Sequence, residues 1–241
     1  MYMHVRVIIP SVTFLTDGDL LGLAGVYGYV AAVVALSWAL KGRIKNPRKL
    51  VHVLTGGIVF FWWAFDTREV MAGLAAAPFI VLLLLCTPLS PIERLRASHL
   101  GCRSSEGHPY GLVMYATSWT IVAYLLFYDL FAASIAVAAM SFGDGMGELV
   151  GRRFGRLEFL KDRTIEGSLS VFASTLVAVL VLNWFYFDLI GYAYGGSPDM
   201  LLLFAASVAG IVTCIEAVTP GKVDNLVIPL AVGGYLHMLG V

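Results

Sequence analysis

Long apolar runs, broken at short intervals by polar segments carrying glycine, organise this chain. Runs able to cross a hydrocarbon core of about 30 Å as helices fall at 20–40, 50–65, 70–87, 109–128, 130–150, 167–187, 200–218 and 223–240. They predict an all-α fold, a polytopic transmembrane helix bundle of about eight spans, with the second, fifth and last runs the weakest. The run at 50–65 is short and begins near His52, so tilt or local thinning of the bilayer is expected there. Gly143 to Gly151 falls where the fifth helix should end. Glycine-rich backbone at membrane depth is tolerated where it packs in protein or lines a polar cavity. No repeat at a fixed period and no low-complexity linker interrupts the chain, which reads as a single integral-membrane domain over 1–241.

Charge placement tests this topology independently, because Lys and Arg concentrate in short cytoplasmic loops. Lys41, Arg43, Lys45, Arg48 and Lys49 follow the first span, Arg94, Arg96 and Arg103 the third, Arg152, Arg153, Arg156, Lys161 and Arg163 the fifth, and Lys222 the seventh. Only Arg6 and Arg68 fall on the other side. Alternate loops are basic, which predicts both termini outside and the polar clusters on the cytoplasmic face, in a cell membrane or one of the endoplasmic-reticulum type.

Composition agrees: 59% of residues are hydrophobic, 13% are charged, and mean hydropathy is +0.83. The formal net charge of zero gives no reason to expect nucleic acid. Val5 to Pro10 is too brief an apolar stretch for a signal peptide, so the first span is expected to be the first helix of the bundle. Cys86, Cys102 and Cys214 lack the spacing of a disulfide framework or a zinc site. Gly22, Gly25 and Gly28 permit close helix contact, within one chain or in a homodimer.

Five polar clusters mark the cytoplasmic side. Arg48, Lys49 and His52 share a helix face, and Thr55 and Gly56 continue that stripe inward; the alternative is a basic anchor with His52 near a helix start. Glu106 and His108 precede the fourth span and read best as solvated loop residues. Asp144 and Glu148, spaced i, i+4, point one way on a helix and suit a two-carboxylate Mg²⁺ site completed by water and phosphate oxygens. Ion pairs to Arg152 and Arg153 are the plainer explanation, although glycines at 143, 145, 147, 151 and 155 make a poor ordinary helix end. Lys161, Arg163, Glu166, Gly167 and Ser168 stand at the entrance of the sixth span, where a phosphate site or a favourable dipole contact for Glu166 would both fit. Asp224 and Asn225 open the last span and could cap it, whereas Glu216, near the end of an apolar helix, needs a partner. No G-x-x-x-x-G-K-[ST] loop is present.

In this order the segments resemble the CTP-dependent polyprenol and prenol kinases, among them dolichol kinase, phytol kinase and CTP-using diacylglycerol kinases, which are related to the CDP-lipid synthases. The resemblance covers roughly 45–240. It rests on Arg48-Lys49-x-x-His52, on Gly143-Asp144-x-x-x-Glu148-x-x-Gly151-Arg152-x-x-Gly155, on Arg163-Thr-x-Glu166-Gly167-Ser168, and on Glu216 followed by Asp224-Asn225-x-x-Ile-Pro229. It implies phosphoryl transfer from CTP to the hydroxyl of an isoprenoid alcohol, with Mg²⁺ and an active site at the cytoplasmic membrane face. Under that resemblance Asp144, Glu148 and Glu216 serve the metal. Arg48, Lys49, Gly143, Gly151, Arg152, Lys161, Arg163, Glu166, Gly167, Ser168 and Asn225 surround the nucleotide. Asp144, Asp224 and His52 are the catalytic candidates, with Asp144 or Asp224 accepting or orienting the alcohol proton. Two departures stand out: Arg163 occupies a position the family usually gives to Lys, and Glu148 one where Asp or a small residue is common.

Two other functions compete. A CTP-dependent cytidylyltransferase making a CDP-lipid would share the ligands, but its Pro-Gly-His-Gly-Gly sequence is absent. A membrane transporter should place ionisable groups near the midplane, whereas here they gather at one face.

Overall fold

The computed structural model describes residues 15–40, 43, 47–97, 110–160, 163–191 and 198–240, with the side chains of Pro47, Arg48, Pro198 and Asp199 outside that description. Among the described residues five helices are long and apolar enough to cross a bilayer: α1 (Asp17–Ala39), α3 (Arg68–Leu85), α6 (Leu130–Phe154), α7 (Ile165–Leu189) and α8 (Pro198–Val218, its apolar span counted from Met200). Three shorter ones complete the predicted set: α2 (Pro47–Thr55), α5 (Gly111–Leu125) and α9 (Asp224–Leu239). A four-residue turn, α4 (Glu93–Arg96), follows α3. Each apolar run read from the sequence is thus helical, although five, not eight, reach the length of a span without help.

The short second run gains length through its geometry. Past Thr55 the chain continues as a 3₁₀-helix over Gly56–Ala64. A 3₁₀-helix rises about 2.0 Å per residue against about 1.5 Å for an α-helix, so Lys49–Ala64 extends roughly 28 Å instead of roughly 24 Å. Buried Tyr186 supports this tighter stretch, its hydroxyl donating to the Val59 carbonyl at 2.9 Å.

Helix α6 forms the centre of the bundle. Every residue from Leu130 to Ser141 is buried, and Ala132, Ala133, Ala136, Ala138 and Ala139 keep its surface small enough for neighbours to approach closely. It packs against α7, α9, α5 and the 3₁₀ stretch. The core around it includes Trp62, Met71, Trp119, Ile135, Met140, Val171, Ile228 and Leu236.

Polar staples fix the far end. Thr16 and Asp19 form a capping box at the start of α1, and buried Asp19 also accepts the backbone N–H groups of Asp66 and Thr67 at 3.1 and 3.2 Å. Gly22 and Gly25 face Phe65 and Phe61 of the same chain, so close contact at these two glycines is used within the bundle.

The only strands among the described residues are β1 (Glu158–Leu160) and β2 (Arg163–Thr164), an antiparallel pair between α6 and α7. This small hairpin adds to the all-α expectation and carries Arg163 to the mouth of the site.

Candidate active site

The sequence puts its charges at the ends of different helices, and the fold gathers them around one cavity of about 1310 Å³. Lys49 and His52 come from α2, Glu148, Gly151 and Arg152 from α6, Arg163, Gly167 and Ser168 from the hairpin and the start of α7, and Glu216, Asp224 and Asn225 from α8 and α9. Lys222 joins them, so basic residues from four separated segments lie at one end of the bundle.

Asp144 ends a π-helical turn, Ala139–Asp144, inside α6. Such wide turns occur frequently at functional sites, because one extra residue per turn redirects the side chains that follow. Asp144 and Glu148, one α-turn apart, both receive the Lys49 ammonium: Nζ is 2.8 Å from Asp144 Oδ2 and 2.8 Å from Glu148 Oε2. The i, i+4 spacing therefore delivers two carboxylates to one point. Glu148 also pairs with Arg152 at 2.9 Å through its other oxygen, whereas Arg153 lies over the Phe154 ring. The ion-pair explanation weighed for this cluster thus holds for Arg152 and not for Arg153.

His52 is buried beside Asp144. Its Nε2–H donates to the Met140 carbonyl at 3.1 Å, its ring meets Tyr115 edge to face, and Asp144 Oδ2 lies 3.7 Å away. A carbonyl can only accept, so this bond fixes the proton on Nε2 of the neutral ring. The position combines both readings of His52, near a helix start and on the cavity wall.

Arg163 spans the other side. One guanidinium nitrogen is ion-paired with Glu216 and the other donates to the Thr219 carbonyl at 3.0 Å. The fork satisfies two acceptors at once, which an ammonium on a single stem would do less well. Glu216, expected to need a partner, has one in Arg163.

Not every predicted site residue reaches the cavity wall. Gly143 packs toward Thr175 of α7, where an added Cβ would lie 2.6 Å from Oγ1. Glu166 turns back to accept the backbone N–H groups of Arg156 and Leu157 at 3.1 and 3.4 Å, holding the loop after α6. Asp224 and Asn225 do reach the wall and are held there: Asp224 accepts the N–H of Asn225 at 2.7 Å, and the Asn225 amide donates to the Gly111 carbonyl at 2.9 Å, tying α9 to α5. Lys161, Glu106 and His108, and the side chain of Arg48, lie outside the described residues.

Three buried polar atoms on the wall have no partner among the described residues: Ser168 Oγ, Glu216 Oε2 and Asn225 Oδ1. Buried polar groups are nearly always paired, so three orphans in one cavity point to a polar ligand. Among the described residues no three His, Cys, Asp or Glu side chains converge as a preformed metal centre. The pair Asp144 and Glu148 still fits a hard cation that takes its remaining ligands from water and phosphate.

Several contributors escaped sequence reasoning. Tyr115 and Ser141 share a hydrogen bond of 2.7 Å beneath His52, and Ser118 donates to the Asn225 carbonyl at 2.7 Å. Tyr115 and Ser118 lie in a helix without charged residues, and Ser141 precedes the glycine-rich stretch by two residues, so none of them carries a charge pattern that marks a site. Thr219 acts through its carbonyl, to which side-chain identity is blind.

Comparison with known proteins follows this geometry. The chain is 32% identical over 229 residues to a probable chloroplastic phytol kinase of Triticum aestivum, covering 90% of this chain and 75% of that protein. It is 31% identical over 223 residues to phytol kinase of Synechocystis sp., covering 87% and 86%. With farnesol kinase of Arabidopsis thaliana it shares 27% identity over 209 residues, covering 80% and 65%. No family model and no solved structure matches.

Proposed function

Because this chain belongs to the phytol kinase family, we propose that it transfers the terminal phosphoryl group of CTP to the hydroxyl of an isoprenoid alcohol, at the cytoplasmic face of its membrane. The observation that carries this reading is the cavity that gathers Lys49, Arg152 and Arg163 with the unpartnered Ser168 hydroxyl at one end of an apolar bundle, while Glu216 Oε2 and Asn225 Oδ1, also unpartnered among the described residues, can accept from a hydroxyl or amino group of a ligand. A triphosphate needs donors and cations there, while the alcohol's hydrocarbon tail can stay among helices or lipid. The choice of CTP follows from the motif resemblance.

Phosphoryl transfer asks mainly for alignment and charge neutralisation. Arg163, Arg152 and Ser168 bind phosphate oxygens, with the first N–H groups of α7 behind them at a helix N-terminus, where anions are favoured. Gly167 lets the start of α7 lie close against α6: a Cβ there would come within 3.2 Å of the Gly147 carbonyl and 3.3 Å of Gly151 Cα. Asp144 and Glu148 hold the Mg²⁺, which when bound offsets charge on the phosphates. Asp224 lines the cavity and makes no ion pair among the described residues, so its carboxylate is free to accept the hydroxyl proton as the oxygen–phosphorus bond forms and the bond to the leaving CDP breaks. His52, its Nε2–H committed to Met140, presents a neutral ring beside Asp144.

The test is a product assay on the purified protein in detergent, with Mg²⁺, γ- or α-labelled CTP or ATP, and phytol, farnesol or a lipid phosphate. Appearance of γ-label from CTP on the alcohol is the expected result. Label from ATP alone would replace the donor, and α-label on the lipid phosphate would make the protein a CDP-lipid synthase.

A further inference from the structure

The Lys49 ammonium sits 2.8 Å from one oxygen of Asp144 and 2.8 Å from one of Glu148, the two carboxylates best placed to hold a divalent cation. A lysine ammonium and a metal ion cannot share that point, because both need the same oxygens and repel each other. Lys49 is also on the wall of the cavity that Arg163 and Ser168 line, with its ammonium on a flexible four-carbon stem and a side chain 12% exposed. Unpaired Glu216 Oε2 and Asn225 Oδ1, on residues 3% and 7% exposed, show independently that this wall is built for a polar ligand.

We propose that Lys49 is an exchangeable counter-ion. It neutralises Asp144 and Glu148 while the site is empty, yields them to the divalent cation that arrives with the nucleotide, and transfers its ammonium to the triphosphate. The inference rests on the reading of Asp144 and Glu148 as the metal-holding pair. It assigns two functions to one side chain: suppressing metal binding before the nucleotide arrives, and strengthening nucleotide binding afterwards. Exchange also keeps two carboxylates from facing each other uncompensated in a largely buried place, where removing one partner of a charge cluster is strongly destabilising.

The experiment measures Mn²⁺ binding by electron paramagnetic resonance, first without nucleotide and then with CTP, for the full chain in detergent as wild type, Lys49→Gln, Lys49→Arg and Asp144→Asn. Calorimetric titration with CTP in Mg²⁺ accompanies it. Lys49→Gln should bind Mn²⁺ about tenfold more tightly than wild type and CTP about tenfold more weakly, the scale typical of changes around metal ligands. Lys49→Arg, which keeps the competing charge, should hold Mn²⁺ as poorly as wild type. Lys49→Met carries the same test if Lys49→Gln does not fold. Unchanged Mn²⁺ affinity in the neutral variants, with Asp144→Asn still impairing Mn²⁺ binding in the presence of CTP, overturns the exchange and leaves the metal site standing. Mn²⁺ binding indifferent to Asp144→Asn with and without CTP overturns the metal reading itself.

Discussion

Replacing Arg163 by Met separates two functions that the guanidinium combines. Arg163 ion-pairs with Glu216, whose side chain is 4% exposed, and donates to the Thr219 carbonyl at 3.0 Å. Removing one partner of a buried ion pair leaves an uncompensated charge and costs about 3–5 kcal/mol. Arg163 borders an open cavity and is 16% exposed, so the lower end, about 3 kcal/mol, applies. For a chain of this size that corresponds to a fall in Tm of roughly 6–12 °C. The double variant Arg163→Met, Glu216→Gln removes the stranded charge and should recover most of the loss, while leaving phosphate without its arginine. Thermal unfolding in detergent and the product assay, run on the single and double variants, read the two functions separately. A single variant that unfolds with wild-type protein would refute the claim that Glu216 depends on Arg163. Full activity in the double variant would refute the assignment of Arg163 to the nucleotide.

Asp144→Asn should lower turnover by at least about a hundredfold, since it removes both the metal ligand and the partner of Lys49, with the protein still monodisperse on size exclusion; near-normal turnover would dismiss Asp144 from the chemistry. Ser168→Ala deletes a buried hydroxyl that has no partner among the described residues, so Tm should hold or rise slightly, while the KM for CTP rises about fivefold through loss of one hydrogen bond. An unchanged KM would mean that Ser168 does not touch the nucleotide. Gly167→Val should lower stability by about 1–3 kcal/mol, because atoms built onto that position meet the Gly147 carbonyl and Gly151 Cα, which belong to backbone. Wild-type Tm in this variant would show that α6 and α7 can separate at no cost.

Much of this molecule was legible in its sequence. Length and hydropathy of the runs located the helices, since a bilayer and a buried backbone both demand internal hydrogen bonding. The i, i+4 interval of Asp144 and Glu148 was enough to place both carboxylates on one side, because that relation is local to a helix. The alternation of basic loops put Lys49, Arg152, Arg163 and Lys222 at one end, where the cavity indeed collects them.

Other features are properties of packing, to which local sequence is blind. Gly143 and Gly167 look alike in sequence, yet one meets Thr175 inside the bundle and the other meets the backbone of α6 on the cavity wall, a difference set by which neighbour crosses there. Glu166 lies in one of the four resemblance motifs but binds the loop after α6, and Glu216 finds its charge partner 53 residues away in Arg163. The 3₁₀ stretch that lengthens the second run is held through Tyr186, a contact across 127 residues. Sequence alone thus determined the membrane class, the helices and the chemical character of one face. Only tertiary structure decided which charges face each other, because an ion pair depends on distances of a few ångströms between segments whose separation along the chain says nothing about their separation in space.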